Sequence, residues 1–441
     1  MKKIITLFSL FLTLSIFCEA QEPCTTGRYA SNVYPTVTVT SNIVYGQNLN
    51  YAGTNKILKL DFYEPTGDTA TVRPLILWIH GGSFLGGTKT DADMVALSQA
   101  FAKKGYACAS IDYRTGFFPI DSANSVKAVM RAVQDARAAL RFFYKDRADG
   151  INTFKIDTNN IFIGGSSAGA ITALHLTYLD RTCEINAYVP TANLTALGGL
   201  EGNSGNPCYS SKVNGVINLC GALASYGWLE AGSLPLCSMH GTIDGTVKYN
   251  RGIVNPGVPL MYLDGSRMLH EQAQAVGVQS SFYTFYGADH VPYLGGGASA
   301  VAYMDTTINF VRDYLIDRLA CTNPILQAPN APAQTATLYP FTICTGNLPV
   351  DFCTGAGLSE SFSNLNLKIY PNPSSNDMTI EWMSETEMTI ELFDFSGRRL
   401  FSIKEFGKNC HLERNGLIGG IYLLKLTNKS GETTTQSIIF N

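Results

Sequence analysis

The chain has 441 residues, of which 45% are apolar and 15% charged, and its formal net charge is −3. That length exceeds what one hydrophobic core usually fills, so two folded units are expected, and the composition is globular, not disordered. The charge balance holds no Lys/Arg-rich run and gives no electrostatic basis for a nucleic-acid partner.

Met1, Lys2 and Lys3 make a basic start, residues 4–17 are almost wholly apolar, and Ala20 offers a small residue for cleavage. This reads as a secretory signal peptide over 1–20, too short for a comfortable membrane span. Cys18 raises a lipid-attachment alternative, but Phe17 is bulky where such a site needs a small residue. No other stretch is apolar enough for long enough to cross a bilayer, so the mature chain is expected outside the inner membrane. Export changes how the cysteines read: after loss of Cys18, they are disulfide candidates and not metal ligands. No CxxC pair or Cys/His cluster has zinc spacing, so no metal is expected. Short loops suggest Cys183 with Cys208, Cys220 with Cys237, and Cys344 with Cys353. Cys108, inside an apolar run, reads as a buried free thiol.

From 37 to 319, short apolar runs alternate with helical stretches. Residues 57–63 alternate like a half-buried strand, and 75–79 form a continuous apolar run suited to a strand covered on both faces. Runs at 107–111, 161–163, 216–219, 235–239 and 281–286 follow in the same style. The clearest helix covers 122–144, with Asp121 or Ser122 as its N-cap. Strands separated by helices predict an α/β fold with a mostly parallel sheet. Residues 323–340 are rich in Pro and Ala with little periodicity, so 323–366 reads as a linker between an α/β domain over 21–322 and a C-terminal module over 367–441. In that module, strand-like runs at 368–370, 378–382, 388–393, 421–426 and 436–440 predict a small all-β sandwich.

Gly165-Ser166-Ser167-Ala168-Gly169 fits G-x-S-x-G, directly after a predicted strand and before a helical run. A nucleophile on a strained strand-to-helix turn needs such small neighbours, which selects Ser167 over Ser166. His80-Gly81-Gly82-Ser83 follows the 75–79 strand; its small residues let main-chain amides approach an oxyanion. Gly82, Ser83 and Ala168 are the expected donors, with His80 anchoring the loop. A serine needs a base. Of six histidines, His175 lies in the helix after the nucleophile, His411 in the C-terminal module, His240 opens a turn it is expected to brace, and His270 sits on a polar helical stretch. His290, in a loop after the 281–286 strand, is the expected base, with His270 second. Asp244 follows the penultimate strand and is the expected acid; Asp289 is its rival but neighbours His290 in sequence. Asp112, Arg114 and Asp135 read as a structural charge network.

With these motifs in place, residues 40–318 resemble the carboxylesterase/lipase branch of the α/β-hydrolases, near the hormone-sensitive-lipase and feruloyl-esterase-like enzymes. The resemblance rests on 60–65, His80-Gly81-Gly82, Asp112 to Arg114, Asp135 with Ala138 and Ala139, 165–169, and His240 to Asp244. Ser83 departs from it, since many relatives carry a third glycine there. It implies an α/β-hydrolase fold and the order Ser167, Asp244, His290. Residues 367–441 resemble the C-terminal sorting domain of type IX secretion cargo in Bacteroidetes, through 369–373, 392–397 and 417–425. This implies handling by the type IX secretion machinery and a secreted or cell-surface location reached through the periplasm; a binding module that stays attached is the alternative.

The expected activity is hydrolysis of carboxylic esters through an acyl-enzyme, with no cofactor. A serine peptidase on the same triad is one alternative, though no propeller or large cap is legible here. A non-catalytic surface protein retaining the fold is another. Residues 182–212, with several glycines, read as an insertion bordering the pocket, with Phe84 and Trp228 as wall residues.

Overall fold

A computed structural model describes residues 27–341, 344, 367–394, 399–429 and 433–440. The expected signal peptide, Cys24, Cys353 and residues 395–398 lie outside the described residues. The chain divides into two compact units, Met1–Pro349 and Val350–Asn441.

The first unit is built on strands β1 (Val37–Leu49), β2 (Asn55–Pro65), β3 (Arg73–Ile79), β4 (Ala107–Ile111), β5 (Ile156–Ser166), β6 (Gly215–Leu219), β7 (Ala222–Leu223), β8 (Leu236–Gly241), β9 (Arg251–Ile253), β10 (Tyr262–Gly265) and β11 (Ser280–Phe285). Its helices are α1 (Ala92–Ala102), α2 (Ser122–Ala148), α3 (Ala168–Tyr178), α4 (Thr182–Asn186), α5 (Thr191–Ala196), α6 (Ser266–Ala275) and α7 (Ala298–Arg318). The main sheet has eight strands in the order β1-β2-β4-β3-β5-β6-β8-β11. β1 and β2 join antiparallel, and everything from β4 to β11 is parallel. β3 is buried along its whole length. Successive side chains therefore feed two cores: Leu75, Leu77 and Ile79 pack on the α2/α3 side, while Ile76 and Trp78 pack with Leu97, Phe101 and Phe310 on the other. Asp121 caps α2, its side chain accepting the Asn124 amide at 2.8 Å. Chain order reverses beside β3, which lies between β4 and β5, and ligands in such sheets bind beyond the carboxyl ends of the strands near that reversal.

Residues 323–341 and 344 do not behave as a free linker. They run along the first unit as an extended strap. Asn330 brackets Thr284, accepting its amide at 2.7 Å and donating to its carbonyl at 3.0 Å. Arg267 donates to the Gln334 carbonyl at 2.8 Å, and Tyr339 donates to the buried Asp264 at 2.5 Å. Leu338 and Tyr339 pack on the main core, and Phe341 covers Gly227, where a Cβ would strike its ring. Isolated anchors without helical or strand periodicity explain why this segment looks linker-like in sequence.

The cysteine pairing also differs from expectation. Cys183 is bonded to Cys344, with Cα atoms 6.0 Å apart and 161 residues between them in sequence; neither the pairing with Cys208 nor that with Cys353 forms. Cys208 and Cys321 are disulfide-bonded too. Cys220 and Cys237 are free and buried. Cys237 lies on β8 opposite Ile217 of β6, whereas Cys220 follows the end of β6, so the two are out of register. Cys108 is a free buried thiol, as its apolar setting suggested.

The second unit is an antiparallel sheet of β12 (Lys368–Tyr370), β13 (Met378–Phe393), β14 (Arg399–Leu412), β15 (Gly420–Asn428) and β16 (Thr433–Phe440), sandwich-like around its own apolar cluster. The runs at 378–382 and 388–393 form one long strand with a register shift between them. β14, which the sequence reading omitted, pairs along most of it.

Candidate active site

The nucleophile turn is dictated by packing. Ser167 closes β5 and opens α3 with φ 54° and ψ −116°, a region that side-chain-bearing residues rarely occupy. Gly165 and Gly169 permit it: a Cβ on Gly169 would lie 1.9 Å from the Ile79 carbonyl oxygen, and one on Gly165 would lie 2.4 Å from Gly169 itself. Ser167 is nearly buried, and its Oγ lies 2.7 Å from His290 Nε2. Ser166 points elsewhere, its Oγ 2.7 Å from the Tyr293 hydroxyl.

His290 stands in the loop after β11, and its Nδ1 lies 2.6 Å from Asp244 Oδ2. Asp244 follows β8. Its Oδ1 accepts the amides of Thr246 and Val247 at 2.9 and 2.8 Å. Burial pushes the Asp244 carboxyl up, but hydrogen bonds from His240 and His290 outweigh it and hold the group well below the usual carboxylate range. The acid is therefore ionised, which fixes Nδ1 of His290 as the protonated nitrogen and leaves Nε2 free to accept from Ser167.

The structure brings together Ser167, Asp244 and His290, and separates their rivals. Asp289 does not reach the ring; its Oδ1 accepts the amides of Gly245 and His290 at 2.8 and 2.7 Å, bracing the loop. His270 Nδ1 bonds Ser280, and burial lowers its pKa to about 4. His175 is buried in α3, with Nδ1 2.8 Å from the Ile171 carbonyl, and burial lowers it likewise to about 4. His411 lies in the second unit, 3.5 Å from Asp377. His80 stacks on Tyr113 at 4.3 Å, and its Nδ1 lies 2.7 Å from the Gly81 carbonyl. It is a loop anchor, as expected.

The loop after β3 lies against the nucleophile: a Cβ on Gly81 would come within 3.4 Å of Ser167 Cβ. Gly82, Ser83 and Phe84 all have positive φ, at 99°, 56° and 60°. A Cβ on Gly82 would meet the Gly86 carbonyl oxygen at 2.3 Å, so glycine is required there. Ser83 adopts its left-handed conformation without being glycine. Ala168 is the first residue of α3, where the amide has no acceptor within the helix. Of the expected Asp112, Arg114 and Asp135 network, Arg114 and Asp135 form a buried ion pair at 2.8 Å, with Ser204 of the 182–212 insertion sealed in beside them, while Asp112 Oδ1 accepts the Lys89 amide at 2.9 Å.

Two hollows open from Ser167. One is a narrow, largely apolar cavity bounded by Ser83, Phe84, Ile171, Ile185, Tyr188 and Leu260, among others. The other is a more open groove that carries His290, Gly82 and Asn255. Trp228, expected in the wall, stands behind it, edge-on to His175 and Tyr188. Sequence reasoning also missed the full part of His240. Its Nε2 lies 3.1 Å from Asp244 Oδ2 and 2.9 Å from the Val247 carbonyl, while its Nδ1 lies 2.7 Å from Ser266. The His240–Asp244 spacing across a single turn was the available signal.

Comparisons with known proteins follow the same division of the chain. Residues 60–223 match the BD-FAE family model, and residues 368–441 match the model for a secretion system C-terminal sorting domain. Carboxylesterase 3B of Mus musculus is 35% identical over 116 residues, 26% of this chain and 19% of that protein. Gut esterase 1 of Caenorhabditis elegans is 32% identical over 111 residues, 25% of this chain and 19% of that protein. The chain thus spans about a fifth of the length of these curated relatives. Among solved structures, Thermogutta terrifontis esterase 2 phosphorylated by paraoxon matches with a TM-score of 0.46 at 22% identity, covering 64% of this chain and 94% of that one.

Proposed function

We propose that this chain, which joins an esterase/lipase-like α/β-hydrolase domain to a C-terminal type IX sorting domain, is an exported serine carboxylesterase. The observation that carries the reading is the unbroken relay from Ser167 Oγ through His290 to Asp244, at 2.7 and 2.6 Å. Ser167 attacks the ester carbonyl carbon while its proton passes to His290 Nε2. The amides of Gly82, Ser83 and Ala168 receive the oxyanion. When the tetrahedral species collapses, the carbon–alkoxy bond breaks and Nε2 returns the proton to the departing oxygen. Water, deprotonated by the same nitrogen, then cleaves the acyl-enzyme to give the carboxylic acid and restore Ser167. The ionised Asp244 holds the imidazole in the required tautomer and stabilises its positive form. Esters are favoured over peptides because Carboxylesterase 3B and Gut esterase 1, two of the matched curated relatives, are esterases by name.

Reaction with a fluorophosphonate probe tests the reading. The expected result is a single adduct on Ser167, together with turnover of p-nitrophenyl acetate. An unlabelled, inactive, folded protein would sink it. The second unit is proposed to supply transport information, carrying the enzyme through the periplasm to the outside or the cell surface.

A further inference from the structure

We infer that the apolar cavity beside Ser167 is the acyl site for uncharged chains of medium length, and that the groove holding His290 takes the alcohol. This rests on the serine esterase reading and adds which side of the ester each hollow receives. The assignment follows from where the proton must go. The leaving oxygen has to lie within reach of His290 Nε2, the nitrogen that protonates it. His290 borders the groove and not the cavity. With the carbonyl carbon at Ser167 Oγ and its oxygen toward the loop amides, the acyl chain has the cavity left to it.

The cavity's chemistry defines the chain. It runs along α3, where Ala168, Ile171 and His175 recur at helical spacing on one face. Between Ser167 and His175 the helix advances about 12 Å, the reach of a medium-length acyl group. Ile171, Ile185, Val126 and Leu263 supply apolar wall, and among the described residues no acidic residue, lysine or arginine lines it. Two of its polar groups are occupied elsewhere: the Tyr188 hydroxyl donates to the Ala224 carbonyl at 3.1 Å, and Ser125 Oγ donates to the Ser122 carbonyl at 2.7 Å. His175 is kept uncharged by burial, so it offers no cation to pair with an acyl carboxylate. The groove is the more polar side, with Asn255 and the backbone of Gly81 and Gly257, while Thr246 borders both hollows.

Isomeric esters separate the two hollows without changing mass or composition. Ethyl octanoate places its long chain on the acyl side; octyl acetate places it on the alcohol side. Ethyl octanoate should be hydrolysed with a kcat/KM at least about tenfold higher, because each buried methylene contributes up to roughly fourfold. The half-ester monoethyl suberate, with a carboxylate at the far end of its acyl chain, should be a poor substrate. In Ile185→Trp, the octanoate-to-acetate ratio of kcat/KM, measured on p-nitrophenyl esters, should fall roughly tenfold or more. Equal rates for the isomeric pair, or preference for octyl acetate, would overturn the assignment and leave the esterase reading standing. Hydrolysis of neither isomer nor of p-nitrophenyl acetate would overturn the esterase reading itself. Should the tryptophan variant not fold, the isomeric pair on the unaltered protein still decides.

Discussion

Ser167 is held by its neighbours, not by its own side chain. Its positive φ is enforced by the two glycines and by the contact of Gly169 with the Ile79 carbonyl, so removing the hydroxyl leaves the turn intact. Ser167→Ala should therefore fold normally and lose on the order of a million-fold in kcat on p-nitrophenyl acetate. The two candidate acids separate by the same kind of reasoning. Asp244 touches the imidazole, whereas Asp289 touches only main-chain amides. Asp244→Asn should reduce kcat roughly ten-thousand-fold by favouring the wrong tautomer, and Asp289→Asn by far less. A reversal of the two in steady-state kinetics would reassign the acid. These residues were legible in sequence because each obeys a local rule: glycines around a strained turn, or a short loop after a parallel strand. The acyl cavity was not legible. Ile171, Ile185, Leu260 and Leu263 come from separate segments whose apolar side chains look like any core residue until the fold gathers them.

At the scale of elements, the continuous apolar run 75–79 marked β3, and short, mostly apolar runs marked β4, β6 and β8, because strands covered on both faces need no alternation. What sequence could not give is which segments use isolated side chains to dock. The 323–341 strap does so through Asn330, Tyr339 and Phe341, and its covalent end, Cys183–Cys344, fastens it to α4 itself, whose Ile185 lines the cavity. Replacing both cysteines by alanine should lower stability by about 2–4 kcal/mol, read as a shift in the urea midpoint. A second tie joins the loop after β2 to the segment before β1. Asp68 bonds Arg28 at 2.7 Å and Arg73 at 2.6 Å, and both Asp68 and Arg73 are almost fully enclosed. Burial pushes the Asp68 carboxyl up, but its hydrogen bonds from Arg28, Arg73 and Tyr34 prevail and hold it far below the usual carboxylate range. A depressed folded value contributes stability above the unfolded value, near ~3.9, and loses it as pH falls toward the folded one. Asp68→Asn should therefore cost about 3 kcal/mol at neutral pH, by leaving a buried guanidinium short of its partner. The gap between variant and parent should close as denaturation is measured below pH ~4. A gap unchanged in acid would show that Asp68 does not act through its charge.

For the whole molecule, the two units predict different consequences for two cuts. A sequence-based boundary near 322 treats the Pro/Ala-rich stretch as dispensable, but the strap supplies hydrogen bonds to Thr284, Arg267 and Asp264 and a cover for Gly227. Asp264 is wholly buried, and without Tyr339 it keeps the Tyr226 amide and Arg251 as partners but loses one donor. A chain ending after Thr322 should thus be less stable and turn over more slowly, above all on long-acyl esters, since Cys344 no longer secures Cys183 of α4. A chain ending after Pro349 keeps every one of these contacts and lies at the boundary between the units. It should fold and retain full kcat, because no residue assigned to the chemistry lies beyond that point. In the native host the same chain should stay in the periplasm, the sorting domain having been removed. Thermal melts and octanoate kinetics on the two truncated proteins, with fractionation of the host, measure all three outcomes. Equal melts for the two cuts would return the strap to the role of a linker, and lost activity after the later cut would make the C-terminal unit part of the enzyme.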